Sequence, residues 1–153
     1  MFSRELILEA GSERLATLRW EKWFSFEAVA ESADGRWIIG RQRSTSLFGD
    51  HVVRDTTSGD EVAAFKRSWR GTGVARFASG AEYGWRREGF WRPRYFWAAK
   101  DGRPLLSFRT VLGFGRSYTM DVDPPARSLV ELPVLVLLGG YVMAMISAQR
   151  SAS

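Results

Sequence analysis

Short runs of alternating apolar and polar residues make up most of this chain, and they predict β-strands. In the segment "AEYGWRR", Tyr83 and Trp85 fall on one side of an extended backbone, while Glu82 and Arg86 fall on the other. Similar runs recur roughly every eight to twelve residues and are separated by glycine-containing turns, which is typical of an all-β sandwich or barrel. The pattern predicts about twelve strands in all.

The segment "LPVLVLLGGYVMAMISAQ", Leu132 to Gln149, differs because it is apolar on every side and contains no charged residue. Upstream of it, Pro124 and Pro125 cannot continue a central strand. Ser128 precedes Glu131 by three residues, which is the spacing of a helix capping box. These signals predict a helix over about 129–148, with Pro133 favouring a regular start nearer Leu132.

This helix must leave water, either by crossing a membrane or by filling the interior of its own domain. Eighteen residues span roughly 27 Å, close to the hydrocarbon thickness of a bilayer. A closed sheet of about twelve strands, however, is wider than its own side chains can fill, and a central helix would occupy the space. No Lys/Arg cluster or tryptophan belt flanks the helix to mark a membrane boundary, which favours burial.

We therefore predict a single domain over residues 1–153 that is all-β with one helix. It is a roughly twelve-stranded antiparallel β-barrel enclosing a hydrophobic C-terminal α-helix. A tail-anchored membrane protein with a cytosolic β domain is the alternative.

Composition narrows the possible chemistry. The chain has no cysteine and a single histidine, His51, so a thiolate metal site, a histidine-based zinc site and a Ser-His relay are all disfavoured. We interpret His51 as a surface residue. Charges at Arg4, Glu5 and Glu9 interrupt any apolar run that could act as a secretory signal, which predicts a cytoplasmic or membrane-peripheral location. We predict no enzymatic activity, no cofactor and no metal.

Positive charge is concentrated in one part of the sequence. The chain carries a net charge of +5, yet residues 66–116 contain twelve Lys/Arg and three acidic residues. The candidate anion-binding residues in this region are Lys66, Arg67, Arg70, Arg86, Arg87, Arg92 and Arg94, interleaved with Trp69, Trp85, Phe90 and Trp91. Arginine pairs with phosphate through two parallel hydrogen bonds, so we predict an anionic lipid surface as partner. The alternative is a solvated barrel exterior, and nucleic acid is disfavoured because no RNA-binding consensus is present.

Several segments together resemble one superfamily. They are "VAAFKRSW" with the following "GTG", "ASGAEYGWRR", "FWAAKDGRPLLSFR" and "LVELPVLVLLGGYVMAMI". This set, over roughly Phe24 to Ala148, resembles the superfamily of tubby C-terminal domains, phospholipid scramblases and LURP-one-related proteins. The resemblance implies a twelve-stranded barrel around a very hydrophobic C-terminal helix.

The same resemblance bears on function, because tubby domains bind phosphoinositide head groups through basic residues and scramblases act on lipids with calcium. No motif transfers their ligand residues to positions in this chain. The nearest acidic groups, Asp121 with Asp123 and Asp60 with Glu61, are too sparse for a calcium loop. The sequence thus predicts a non-enzymatic binding or adaptor domain that recognises anionic lipid or phosphoinositide. It does not identify a protein partner.

Overall fold

The computed structural model describes residues 4–11, 13–20, 27–41, 50–68, 72–89, 91, 93–110 and 117–152. These residues form eleven strands, one 3-10 helix and one α-helix. The strands are β1 Arg4–Ala10, β2 Glu13–Trp20, β3 Ala28–Ser32, β4 Gly35–Arg41, β5 His51–Asp55, β6 Glu61–Arg67, β7 Gly73–Phe77, β8 Glu82–Glu88, β9 Arg94–Ala98, β10 Pro104–Thr110 and β11 Ser117–Val122. The 3-10 helix is Pro124–Ser128 and the α-helix, α1, is Leu132–Ala152.

The strands form a closed barrel in which each pairs with its neighbours in sequence. All of these sequential pairs are antiparallel, and the barrel closes where β1 pairs with β11, Ile7 lying opposite Ser117. This closing pair is parallel, which corrects the expectation of a wholly antiparallel barrel. An odd number of strands in alternating directions makes the first and the last run the same way, so a parallel closure follows from the count.

Side chains alternate between the barrel interior and its exterior, as the sequence predicted for β8. Tyr83 and Trp85 are buried, whereas Arg86 is exposed. The largest interior aromatics on this side of the barrel are contributed by β6 to β8, and Trp85 packs against Trp97 of β9 with ring centroids 4.9 Å apart. The barrel wall from β6 to β9 is thus lined by large rings.

The helix α1 lies inside the barrel. Every residue from Val134 to Ala144 is buried, which a helix lying on an outer surface could not achieve because one of its sides would face water. The Trp97 Nε1 group donates a hydrogen bond of 2.8 Å to the carbonyl oxygen of Leu135 and ties the helix to β9. The prediction of a barrel enclosing a hydrophobic helix is confirmed.

Two glycines bring α1 close to the wall formed by β9, β10, β1 and β2. A Cβ atom at Gly139 would lie 2.2 Å from Cζ of Phe108, and one at Gly140 would lie 2.8 Å from Cδ1 of Leu8. The helix is therefore off-centre in the barrel, and the large rings of β6 to β8 fill the opposite side.

The capping-box prediction is wrong in its details. Ser128 belongs to the 3-10 helix, and its hydroxyl donates to the carbonyl oxygen of Pro125 at 3.3 Å. The Glu131 carboxylate instead accepts a hydrogen bond from Ser79 Oγ at 3.4 Å. The helix begins at Leu132, as Pro133 indicated, and residues 129–131 form a turn that separates it from the 3-10 helix.

The barrel has two distinct ends. We call the end at which α1 begins the entry end; Glu131 there contacts Ser79 in the turn between β7 and β8. We call the opposite end the exit end; Tyr141 of α1 packs towards it against Trp20 and His51. Among the residues that the structure describes, no helix combines the length and hydropathy needed to cross a membrane.

Candidate functional site

Five of the seven predicted anion-binding residues lie in the described part of the chain, and all five lie at the exit end. Lys66 and Arg67 finish β6, Arg86 and Arg87 lie near the end of β8, and Arg94 begins β9. We call these five residues the cationic cluster. Arg70 and Arg92 were also predicted, together with Trp69 and Phe90, and these four lie outside the described residues.

The strand register explains why the cluster forms. Lys66 pairs with Val74 of β7, and Val74 pairs with Gly84 of β8, so only one narrow strand separates β6 from β8. Gly73, the β7 residue nearest this end, has no side chain, and a Cβ atom there would lie 2.4 Å from the Phe65 ring. The cations at the ends of β6 and β8 therefore lie near one another at the same end of the barrel, separated by β7.

Alternation along the strands divides the cluster into two parts. Lys66, Arg86 and Arg94 are exposed on the outer wall. Arg94 lies 3.9 Å from a Glu88 carboxylate oxygen, and its guanidinium stands 5.5 Å from the centroid of the Phe96 ring. Arg67 and Arg87 follow the buried Phe65 and Trp85 by two residues, so they continue the inward-facing rows to the rim.

Two of the aromatic residues that were predicted to lie among these cations are described, Trp85 and Trp91, and only Trp91 is exposed beside them. Trp85 is 1% exposed and belongs to the core, because it lies on the inward-facing row of β8. Trp91 is 90% exposed on the connection between β8 and β9, with Arg94 three residues further along the chain. Trp91 is thus a large, exposed amphipathic ring beside the cationic cluster.

Charge is segregated along the barrel axis, an arrangement that linear sequence reasoning missed. Assigning each described charged side chain to the nearer end of its strand, or to the turn that carries it, gives a net charge of +4 at the exit end and −5 at the entry end. Arg109 and Asp121 are counted at opposite ends but form an ion pair of 2.7 Å along the wall; without this pair the two values are +3 and −4. The exit end carries Arg19, Arg41, Lys66, Arg67, Arg86, Arg87, Arg94 and Arg109 with Glu5, Glu27, Asp50 and Glu88. The entry end carries Arg14, Arg36, Arg54, Arg76, Lys100, Arg103 and Arg127 with Glu9, Glu13, Glu31, Asp34, Asp55, Asp60, Glu61, Glu82, Asp101, Asp121, Asp123 and Glu131.

His51 lies at the exit end, but the prediction that it is a surface residue is wrong. It is only 6% exposed, because it belongs to the same inward-facing row of β5 as the buried Val53. Its ring packs edge-on against Tyr141 of α1, with centroids 5.4 Å apart. Its Nδ1 atom has no hydrogen-bond partner within the part of the chain that the structure describes.

The surroundings of His51 keep its imidazole neutral. The pKa of His51 is lowered from 6.5 to about 4: burial is the largest cause, the charge of Asp50 opposes it, and the charges of Arg41 and Arg67 act with it. Asp50 also accepts a hydrogen bond at 3.3 Å from the backbone N–H of Arg67, which fixes the residue before β5 to the end of β6. A second negative charge placed beside His51 would favour its protonated form.

Tyr141 completes this region from the helix side. Burial raises its pKa to about 12, with Arg41 lowering it and Glu27 raising it. The ring of Trp20 stacks on it with centroids 6.0 Å apart. Tyr141 is therefore an uncharged phenol at neutral pH that connects α1 to β2 and β5.

No metal centre is found in the described ranges, since nowhere in them do three or more His, Asp or Glu side chains come together in a way that could hold an ion. Comparison of the chain with protein-family models, with curated proteins and with solved structures finds no match. The candidate site therefore rests on the geometry and charge of the exit end itself.

Proposed function

We propose that this protein is a non-enzymatic binding or adaptor domain that docks an anionic membrane surface with the exit end of its barrel. We further propose that it is a tubby-like domain, as its sequence segments suggest. The barrel closed around a hydrophobic C-terminal helix supports that assignment, although the barrel has eleven strands where the resemblance implies twelve. The domain would act at the cytoplasmic face of a membrane without crossing it.

The observation that carries this proposal is the concentration of cations and an exposed tryptophan at one end. A basic residue held near an anionic leaflet contributes about 1 kcal/mol of attraction. Five clustered cations would therefore contribute roughly 5 kcal/mol, less the part offset by Glu88 and by screening. Trp91 suits the headgroup boundary, where an aromatic ring with one polar atom is most stable.

The segregation of charge also favours one orientation. An anionic surface repels the acidic entry end and attracts the exit end, so the barrel would dock with its exit end facing the membrane. This orientation would place the cationic cluster and Trp91 at the surface together. It requires no conformational change in the barrel wall.

Vesicle co-sedimentation tests the proposal. The protein should bind vesicles of phosphatidylcholine with phosphatidylserine but not phosphatidylcholine alone, and the binding should weaken as salt shortens the Debye length from about 30 Å at 0.01 M to about 3 Å at 1 M. The double variant Lys66→Gln/Arg86→Gln should bind at least about tenfold more weakly, since two contributions of about 1 kcal/mol are lost.

A matched control distinguishes the effect of where the positive charge lies from the effect of how much positive charge the protein carries. Arg14→Gln/Arg54→Gln removes the same charge from exposed positions at the entry end and should bind as the parent does. Trp91→Ala should weaken binding to acidic vesicles while leaving its salt dependence unchanged. Equal losses in the two double variants would contradict a docking end, and binding that ignores acidic lipid would refute the whole proposal.

A further inference from the structure

Two large apolar side chains are strongly exposed in the described part of the chain, and they lie at opposite ends of the barrel. Val130 is 91% exposed in the turn that leads into α1 at the entry end. Trp91 is 90% exposed on the connection between β8 and β9 at the exit end. Single exposed apolar residues are common on protein surfaces, so these two acquire meaning only from the charges around them.

Carboxylates lie close to Val130 at the entry end. Glu131 follows it in the chain and accepts a hydrogen bond from Ser79 in the turn between β7 and β8. A backbone hydrogen bond of 3.0 Å joins that turn to the start of β6, where Asp60 and Glu61 lie. We call Asp60, Glu61, Val130 and Glu131 the entry patch, and we call Trp91 together with the cationic cluster the exit patch.

Cations at the entry end offset only part of its negative charge. Arg76 lies 3.6 Å from a Glu82 carboxylate oxygen, and Arg54 is paired in register with Glu61. With all described cations included, and with the ion pair that joins the two ends left out, the entry end carries −4 and the exit end +3. The two ends are thus opposite in sign and similar in magnitude.

The two patches lie on the same side of the barrel. The entry patch adjoins the start of β6 and the turn between β7 and β8, and the exit patch lies at the far ends of β6, β8 and β9. The strand β6 is itself acidic where it begins, at Glu61, and basic where it finishes, at Lys66 and Arg67. A shift of one copy along the barrel axis, with a rotation that follows the strand tilt, therefore brings opposite charges together.

We propose that the protein associates head to tail with a second copy of itself, the entry patch of one copy docking on the exit patch of the next. The chain itself carries the complement of each end, since each patch offers one apolar anchor beside charges of opposite sign. An apolar centre with a complementary polar rim is the usual anatomy of a specific interface. Because the two patches differ, the contact is heterologous, and its repetition along one axis gives an open chain of barrels.

Sedimentation velocity of the full-length protein without lipid tests the contact. The parent should associate at about 0.01 M salt and dissociate at about 1 M, as the Debye length falls from about 30 Å to about 3 Å. Lys66→Gln/Arg86→Gln should weaken association at least about tenfold, whereas Arg14→Gln/Arg54→Gln removes the same charge from the acidic end and should leave association as tight or tighter. A parent that stays monomeric at low salt, or equal weakening in the two double variants, would overturn the proposal.

Mixing two disabled variants distinguishes a head-to-tail contact from a symmetric one. Lys66→Gln/Trp91→Ala disables the exit patch and Asp60→Asn/Val130→Ser disables the entry patch; all four residues are exposed, so both variants should fold, and each alone should be monomeric. The mixture retains one intact patch of each kind, so it should form a 1:1 complex and grow no further. A mixture that does not associate would contradict the proposal. Self-association of the entry-patch variant would point instead to a symmetric contact between exit ends, which also overturns it.

The entry-patch variant also separates this inference from the proposed function, because membrane docking uses only the exit end. At a concentration at which the parent is monomeric, this variant should bind phosphatidylserine vesicles as the parent does, while failing to associate at any higher concentration. A parent that binds acidic vesicles but never associates would overturn the head-to-tail contact alone. A parent that associates but ignores acidic lipid would overturn membrane docking alone.

Discussion

Replacing Gly139 by alanine tests how tightly the barrel holds its helix. The new methyl carbon would lie 2.2 Å from Cζ of Phe108 and 2.8 Å from Nε1 of Trp97, whereas non-bonded carbons rest at about 3.5–4.0 Å. Phe108 and Trp97 are both 0% exposed, so neither ring can turn out into solvent. We expect overpacking to cost about 3 kcal/mol, at the upper end of the usual range.

An opposing effect must be subtracted, because alanine is a better helix former than glycine by about 1 kcal/mol. The net expectation is a loss of about 2 kcal/mol in the free energy of unfolding, or a fall in Tm of roughly 4–8 °C for a domain of this size. Urea titration followed by circular dichroism measures the free energy, and differential scanning calorimetry measures the Tm.

Gly140→Ala is the matched control within the same turn of α1. It gains the same helix propensity, and its methyl group would meet the flexible ends of Leu8 at 2.8 and 2.9 Å. Those methyl groups can shift by a rotamer adjustment, so we expect a change within about 1 kcal/mol of zero. If Gly139→Ala proved as stable as Gly140→Ala or as the parent, the helix would not be clamped by Phe108 and Trp97.

Two further predictions follow from His51 and from α1. Since the pKa of His51 is lowered from 6.5 to about 4 on folding, the unfolded chain binds its proton first; the free energy of unfolding should fall as pH drops from 6.5 towards 4, by about 2 kcal/mol at pH 5. In His51→Gln this pH dependence should disappear, as urea titrations at pH 7.5 and pH 5 would show. Deleting residues 129–153 should abolish cooperative unfolding and cause aggregation, seen by calorimetry and size-exclusion chromatography, because the barrel loses its buried helix.

Each of these two predictions would be contradicted by one specific outcome. An identical pH dependence in His51→Gln and the parent would mean that the histidine is solvated in the folded state. A truncated chain that remained folded and monomeric would favour the tail-anchor alternative, in which the β domain closes without the helix.

The strand pattern of β8 shows what the sequence could predict. Tyr83 and Trp85 are two residues apart and lie between the polar residues Glu82 and Arg86. A strand with one buried face requires this spacing, so the inward-facing residues could be assigned from the amino-acid sequence alone. The terminal helix could be predicted because an uncharged segment that is apolar on every side must leave water, and the width of the closed sheet favoured the barrel interior over a membrane. These features depend on local period and on total apolar area, both of which are present in the sequence.

His51 shows what the sequence could not predict. It is followed by Val52 and Val53, which are both buried although they face opposite sides of β5, so the apolar pattern there does not indicate which face is inward. The axial segregation of charge was missed for a related reason. It depends on which end of each strand a residue occupies, and a count along the chain mixes the two ends.

The parallel pairing of β1 with β11 has a consequence for how this protein is made. β1 cannot form its closing pair, Ile7 with Ser117, until β11 has been synthesised, and the barrel interior stays unfilled until residues 132–152 have been added. During translation the early strands therefore expose apolar faces that nothing yet covers. At about 5–20 residues per second, that interval is on the order of ten seconds. A nascent chain in this state would benefit from chaperones that shield β-hairpins until the helix has emerged from the ribosome.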